Sequence, residues 1–138
     1  MPSVADANRP ALRVLVYSSD ADTRRQVMLA LGKHPHPDLP PFDYRETATA
    51  PVVIEQLDAG GIDLAILDGE ATPTGGMGLA KQLKDEIADC PPIVVLTGRA
   101  DDAWLAAWSR AEAAVAHPLD PFQLTSAVTT ALNARPAA

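Results

Sequence analysis

The sequence predicts an α/β protein built as a doubly wound, five-stranded parallel sheet with five helices. Aliphatic runs of strand length alternate with segments of helical periodicity, which is typical of parallel sheets covered by helices on both faces. The hydrophobic content is 47% while aromatic residues make up only 4%, which suits packed layers of Val, Ile, Leu and Ala. With 138 residues, the chain is long enough for one domain with a substantial core.

The first half of the chain supplies two strand–helix pairs. The run LRVLVY (Leu12–Tyr17) is continuously apolar, as in a strand covered on both faces. Helical periodicity follows over residues 20–31, and a glycine predicts its end. Residues 42–48 (FDYRETA) alternate weakly and predict a more exposed second strand. The second helix is predicted to begin around Pro51 and to end at a glycine pair.

The second half supplies three more pairs. IDLAILD (Ile62–Asp68) is the clearest buried strand, PPIVVLTG predicts a fourth, and AAVA (113–116) predicts a short fifth. Residues 101–110 predict a helix that carries both tryptophans of the chain, Trp104 and Trp108. Apolar residues at helical spacing mark the helices after the third and fifth strands: Met77, Ala80, Leu83 and Ile87, then Leu124, Val128, Ala131 and Leu132.

Composition argues against several classes of function. Eighteen acidic and eleven basic residues give a net charge of −7, which disfavours a nucleic-acid or anionic-membrane surface. The first ten residues lack the apolar core of a signal peptide, and no apolar run is long enough to cross a bilayer. We expect a cytoplasmic protein with a flexible extension at 1–11, one domain at 12–134 and a tail at 135–138. The single cysteine, Cys90, has no partner for an internal disulfide.

Polar residues follow the predicted strands where a site would be expected. In parallel α/β sheets, ligands bind beyond the carboxyl ends of the strands. We therefore expect one pocket to be formed by the residues at these ends, which are Ser18, Ser19, Asp20, Asp68, Glu70, Thr97, His117 and Pro118.

The order and spacing of these residues resemble the receiver domain of two-component response regulators, over about residues 12–132. The resemblance implies a flavodoxin-like receiver fold and a place in a phosphorelay. It implies that Asp68 occupies the position of the aspartate that accepts a phosphoryl group. Thr97 matches the hydroxyl residue that binds the phosphoryl oxygens, and His117-Pro118 matches a Lys-Pro pair whose peptide bond is usually cis.

The chain departs from this family in the residues that carry out phosphoryl transfer. Family members follow the first strand with two acidic residues that hold Mg²⁺, and Ser18 and Ser19 stand in those places. Neutral hydroxyls replace carboxylates poorly as Mg²⁺ ligands, and phosphoryl transfer depends on that cation. His117 is shorter than the lysine that it replaces. We therefore expect no cofactor, no metal and no catalytic residues, so the protein is not expected to be an enzyme.

Two alternatives concern the pocket. The first is that Ser18 and Ser19 simply cap the first helix, a common use of hydroxyl side chains. The second is a rearranged acidic pocket of Asp20, Asp68 and Glu70, which would bind Mg²⁺ and keep Asp68 as the phospho-acceptor of a histidine kinase. A loose likeness of YSSDADT to the phosphate loop of flavodoxins is disfavoured, because its acidic residues would repel an anion and it contains no glycine.

The tryptophan pair bears on how a signal would leave the protein. Trp104 and Trp108 are four residues apart and so share one helical face. Either they pack against the sheet, or they anchor an interface at the surface of the fourth helix, fifth strand and fifth helix, where receivers bind partners and dimerise. We expect an atypical, stand-alone receiver that acts by protein contact without conventional Mg²⁺-dependent phosphorylation. Its expected partners are a histidine kinase, an effector protein or a second copy.

Overall fold

The computed structural model describes residues 11–98 and 103–134, so most of the predicted extension and the whole predicted tail lie outside the described residues. Five strands and five helices alternate along this part of the chain. In chain order they are β1 (Leu12–Tyr17), α1 (Ala21–Leu31), β2 (Phe42–Thr47), α2 (Ala50–Ala59), β3 (Leu64–Asp68), α3 (Gly76–Glu86), β4 (Ile93–Thr97), α4 (Ala103–Trp108), β5 (Ala113–Ala116) and α5 (Pro121–Asn133).

All five strands pair in parallel, in the order β2-β1-β3-β4-β5. The predicted doubly wound parallel sheet is therefore confirmed. Because β3 lies between β1 and β4, its last residue, Asp68, has neighbours from both sides. The register pairs Asp68 with Leu96 of β4, and Leu67 with Tyr17 of β1. The carboxyl ends of these three strands therefore lie level with one another.

The core consists of one apolar layer on each face of the sheet. Val14 and Val16 pack on the face shared with α1 and α5, whereas Leu15 and Tyr17 pack on the face shared with α2 and α3. Successive side chains of a strand point to opposite faces. Burial on both faces is thus the reason that the run from Leu12 to Tyr17 is apolar at nearly every position.

The helix ends follow local chemistry. Helix α1 ends at Gly32, which has a φ of 67°, and α2 ends at Gly60, which has a φ of 79°. Such left-handed backbone favours glycine. Helix α4 ends at Trp108, two residues before its predicted end, and residues 101 and 102, which were predicted to begin it, lie outside the described residues. No helix in the described part of the chain is long and apolar enough to span a membrane.

Candidate functional site

The pocket is centred on Asp68, at the carboxyl end of the central strand. Ser18 follows β1, Thr97 ends β4, and His117 follows β5, so the parallel register brings all four residues to one edge of the sheet. Asp68, Ser18 and Thr97 are almost completely buried, and Asp68 is only 4% exposed. A carboxylate in such a place needs several polar partners, because burial removes its water.

Both oxygens of the Asp68 carboxylate have polar neighbours within the protein. The Ser18 hydroxyl donates a 2.8 Å hydrogen bond to Oδ2, and the backbone N–H of Glu70 donates a 2.9 Å bond to Oδ1. Nε2 of His117 lies 3.6 Å from the same Oδ1 and carries positive charge only when the ring is protonated. Among the described residues, neutral donors therefore supply both hydrogen bonds to this carboxylate.

The hypothesis that the two serines cap α1 is wrong. Asp20 is the N-cap, because its carboxylate accepts hydrogen bonds from Asp22 N (3.0 Å) and the Thr23 hydroxyl (3.1 Å). The Ser18 hydroxyl instead accepts a 3.0 Å bond from Asp20 N while donating to Asp68. A carboxylate at this position has two acceptor oxygens near the amino end of a helix, so it satisfies the orphan N–H groups well.

Ser19 faces a different neighbour. Its exposed hydroxyl accepts a 3.0 Å hydrogen bond from the backbone N–H of Thr72, in the loop between β3 and α3. The Thr72-Pro73 peptide bond in this loop is cis. Of the two serines, only Ser18 therefore contacts Asp68, while Ser19 ties the loop after β3 to the end of β1.

Glu70 extends over the end of β4. A Cβ atom placed on Gly98 would clash with the Glu70 carboxylate, so the glycine leaves the space that this side chain occupies. This contact was not predicted from the sequence, although a glycine directly after a buried strand can mark a close approach. Gly98 thus belongs to the pocket together with Glu70.

The predicted acidic residues do not assemble into a metal site. The Asp20 carboxylate caps α1, and the Glu70 carboxylate lies over Gly98. Within residues 11–98 and 103–134, no three Asp, Glu, His or Cys side chains are placed to hold a metal ion. Mg²⁺ prefers carboxylates and phosphate oxygens in octahedral geometry. The Mg²⁺ that the family implies does not fit the described residues, because Ser18 and Ser19 offer only neutral oxygens that are already hydrogen-bonded.

Contacts at the ends of β1, β4 and β5 hold this end of the sheet together. The His117-Pro118 peptide bond is cis, and His117 N donates a 2.8 Å bond to the Thr97 carbonyl. The Tyr17 hydroxyl donates a 2.6 Å bond to the Thr74 carbonyl. Burial raises the pKa of Tyr17, and the charge of Asp68 raises it further. Tyr17 was not predicted as a pocket residue, because it reads as the last apolar position of β1.

Arg24 is another residue that the sequence did not indicate. Its guanidinium donates a 2.6 Å hydrogen bond to the carbonyl of Ser18 and forms a 3.1 Å ion pair with Glu46 at the end of β2. These partners hold Arg24 beside the pocket. Helical periodicity gave no signal for it, because its partners lie on β1 and β2 rather than on its own helix.

The tryptophans are exposed at 67% for Trp104 and 49% for Trp108, so the alternative that both are core residues does not hold. Lys81 of α3 places its Nζ 5.7 Å from the centre of the Trp108 ring. Trp108 therefore lies on the side of α4 that faces α3, and Trp104 lies one turn before it on the same helical face. A separate groove of about 480 Å³ lies along β5 and α5, and Phe122 is the aromatic residue that lines it.

Two curated proteins from strains of Mycobacterium tuberculosis, both described as uncharacterized response regulatory proteins, are 69% identical to this chain over 124 residues. The match covers 90% of this chain and 93% of each relative. No protein-family model matches the sequence.

Solved structures agree on the fold. A sensor protein from Polaromonas sp. JS666 superposes with a TM-score of 0.76 at 21% identity and covers 92% of this chain and 100% of its own. The chemotaxis response regulator CheY4 of Vibrio cholerae gives 0.73 at 16% identity, covering 89% and 100%. The BeF3-activated DrrB receiver domain gives 0.71 at 17% identity, covering 90% and 99%. The close sequence match and this shared fold show that the chain belongs to the response regulators and has a receiver domain.

Proposed function

We propose that this receiver is a signalling protein-interaction module that acts without conventional Mg²⁺-dependent phosphorylation of Asp68. The observation that carries the proposal is the 2.8 Å hydrogen bond from the Ser18 hydroxyl to the buried Asp68 carboxylate. This bond occupies one oxygen of the residue that would have to attack a phosphodonor. Ser18 also places a neutral donor where other family members have a metal-binding carboxylate.

The charges around Asp68 support the same proposal. A phosphoryl group on Asp68 would add negative charge beside Glu70, which the family would balance with Mg²⁺ and a lysine. Here His117 stands in the place of the lysine and is positive only when protonated. The nearby Arg24 guanidinium is engaged with the Ser18 carbonyl and with Glu46. No fixed positive charge among the described residues is directed at the Asp68 carboxylate.

The second candidate function is that of a conventional acceptor with a rearranged pocket, phosphorylated on Asp68 by a histidine kinase. The observation that favours it is the placement of Asp68, Thr97 and His117 together at the ends of adjacent strands. It would require Asp68 to exchange the Ser18 bond for contacts to a cation and a phosphodonor. This exchange would cost the hydrogen bond between Ser18 and Asp68, so the conventional acceptor is the weaker of the two candidate functions.

Output by docking is supported by exposed apolar side chains. Phe122 is 86% exposed in the groove along β5 and α5, and Trp104 and Trp108 are exposed on α4. We propose protein partners, either an effector, a histidine kinase or a second copy bound through the face of α4, β5 and α5. The net charge of −7 supports the exclusion of nucleic acid and of anionic membranes, and a cytoplasmic location remains our expectation.

The deciding experiment measures the mass of the intact protein after incubation with Mg²⁺ and acetyl phosphate. We expect no gain of a phosphoryl group, and no change in that result for Asp68→Asn. A near-stoichiometric gain that disappears in Asp68→Asn would overturn the proposal and establish the second candidate. A typical receiver treated in parallel is the positive control for the phosphodonor.

A further inference from the structure

Aromatic and charged side chains of α3, of α4 and of the turn after α4 lie near one another at the surface. We call it the α3–α4 patch, and it consists of Lys81, Asp85, Trp104, Trp108 and Arg110. It is separate from the groove along β5 and α5, whose lining includes none of these residues. The position of Lys81 beside the Trp108 ring joins the two helices. Exposed tryptophans are uncommon on a monomer surface and are typical anchors of interfaces.

The ionic groups of the patch are arranged around Asp85. Its Oδ2 lies 2.9 Å from Lys81 Nζ, and its Oδ1 lies 2.8 Å from a guanidinium nitrogen of Arg110. These hydrogen bonds, from Lys81 first and Arg110 second, lower the pKa of Asp85. One carboxylate thus faces two cations, which together carry more donors than it can accept. The five residues of the patch carry two cations and one carboxylate, whereas the total charge of the chain is −7.

The backbone conformation of Arg110 places its guanidinium next to α3. Its φ is 66°, and it is the only non-glycine residue with positive φ among the described residues. Glycine adopts this conformation without steric cost, whereas a residue with a Cβ is strained there. The strain is accompanied by an ion pair that holds the guanidinium at the edge of the tryptophan surface. The same conformation ends α4, because Arg110 N donates a 3.2 Å hydrogen bond to the Ala107 carbonyl, and it sets the direction in which the Arg110 side chain leaves the helix.

We propose that the α3–α4 patch binds an acidic amphipathic segment of a partner protein. The apolar side chains of the segment pack on Trp104 and Trp108, and its carboxylates pair with Lys81 and Arg110. This inference rests on the proposed docking function and names its surface and the chemistry of its partner. The segment is expected to be helical, since an apolar stripe with acidic residues beside it fits a narrow strip of two rings flanked by cations.

Charge distinguishes this partner from other occupants. A second copy would bring two net positive patches, and two chains of −7, against each other. A nucleic acid would meet two cations on an otherwise acidic molecule, too few for phosphate binding. The net charge also repels an acidic segment at long range, but screening limits that effect to about 8 Å at physiological ionic strength. Contacts within the patch are shorter than this distance.

The test uses two synthetic helical peptides with Leu at i, i+3, i+4 and i+7, one with Glu at the other positions and one with Lys. The full chain is titrated with each peptide while the two indole N–H resonances are followed by NMR. We expect saturable shifts with the Glu peptide and binding at least about tenfold weaker with the Lys peptide. Trp108→Ala should weaken binding about tenfold or more, because it removes a central aromatic anchor.

Two variants separate the patch from general stickiness. Phe122→Ala removes a highly exposed aromatic from the other groove and should leave the affinity for the Glu peptide unchanged. Arg110→Gln removes one cation and keeps a long side chain, so it should reduce the preference for the Glu peptide. Its thermal melting is measured in parallel to check that it is folded. Equal binding of both peptides, no binding of either, or shifts that map outside the patch would overturn the proposal. Dilution-dependent indole shifts without peptide would assign the patch to self-association and overturn it as well.

Neither peptide titration involves a phosphodonor. Failure of the patch proposal therefore leaves the mass measurement on Asp68 untouched, and phosphorylation of Asp68 would leave the peptide result untouched. The two proposals can fail separately.

Discussion

Replacement of Ser18 by alanine tests the pocket most directly. The hydroxyl is 1% exposed, donates to Asp68 at 2.8 Å and accepts from Asp20 N at 3.0 Å. A hydrogen bond to a charged group contributes about 1.5–3 kcal/mol, and a carboxylate that is 4% exposed recovers little of that from water. The N–H of the exposed Asp20 can bind water instead, so the loss of its hydrogen bond to Ser18 adds little to this cost. We expect Ser18→Ala to lower the free energy of unfolding by about 2–3 kcal/mol.

The assay is urea unfolding followed by tryptophan fluorescence, with thermal melting as a second measurement. At about 4 °C per kcal/mol, the melting temperature should fall by about 8–12 °C. Ser19→Ala is the matched control, because the exposed Ser19 hydroxyl accepts a hydrogen bond from Thr72 N and does not contact Asp68 within the described part of the chain; the variant should cost less than about 0.5 kcal/mol. Combination of Ser18→Ala with Asp68→Asn should show a coupling above about 1 kcal/mol. Equal stability of the two alanine variants would refute the reasoning.

Three further predictions concern metal, restoration and pH. Titration with Mg²⁺ should produce no saturable amide shifts around Asp68 below the millimolar range, whereas sub-millimolar binding that Asp68→Asn removes would contradict the pocket described above. Ser18→Asp combined with Ser19→Asp should bring back metal affinity, and addition of His117→Lys should raise phosphorylation by acetyl phosphate; a triple variant as inert as the parent would place the defect in the backbone geometry. Burial raises the pKa of Tyr44 from 10.0 to about 12, so the folded state retains the phenolic proton over a range in which the unfolded state loses it. The contribution of Tyr44 to stability is therefore complete below about pH 10 and is lost as the pH rises toward about 12. Alkaline unfolding of the parent should show this loss, and Tyr44→Phe should lack it.

Much of the fold could be predicted from the sequence because its signals are local. A strand buried on both faces must be apolar at nearly every position, so Leu12–Tyr17 was visible directly. Glycines at the ends of α1 and α2 adopt positive φ, which other residues avoid, so these ends were visible as well. The place of the pocket followed from the topology, since parallel strands bring their carboxyl ends to one edge of the sheet.

The roles of the pocket residues could not be predicted in the same way. Ser18 and Asp68 are 50 residues apart, and whether the hydroxyl bonds that carboxylate or caps α1 depends on the register between β1 and β3. Spacing along the chain contains no information about that choice, and Asp20 was the better cap. The contact of Glu70 with Gly98 depends likewise on a side-chain direction across two strands.

The tryptophans show the same division between sequence and structure. Their spacing determines that Trp104 and Trp108 share one face of a helix. Which way that face points depends on how α4 packs between its neighbours, and the position of Lys81 beside Trp108 shows that it points toward α3. The sequence by itself therefore determined the elements, the sheet and the absence of the usual acidic pair after β1. Only tertiary packing decided which hydroxyl contacts Asp68 and which surface carries the exposed rings, because both depend on contacts between residues far apart in the chain.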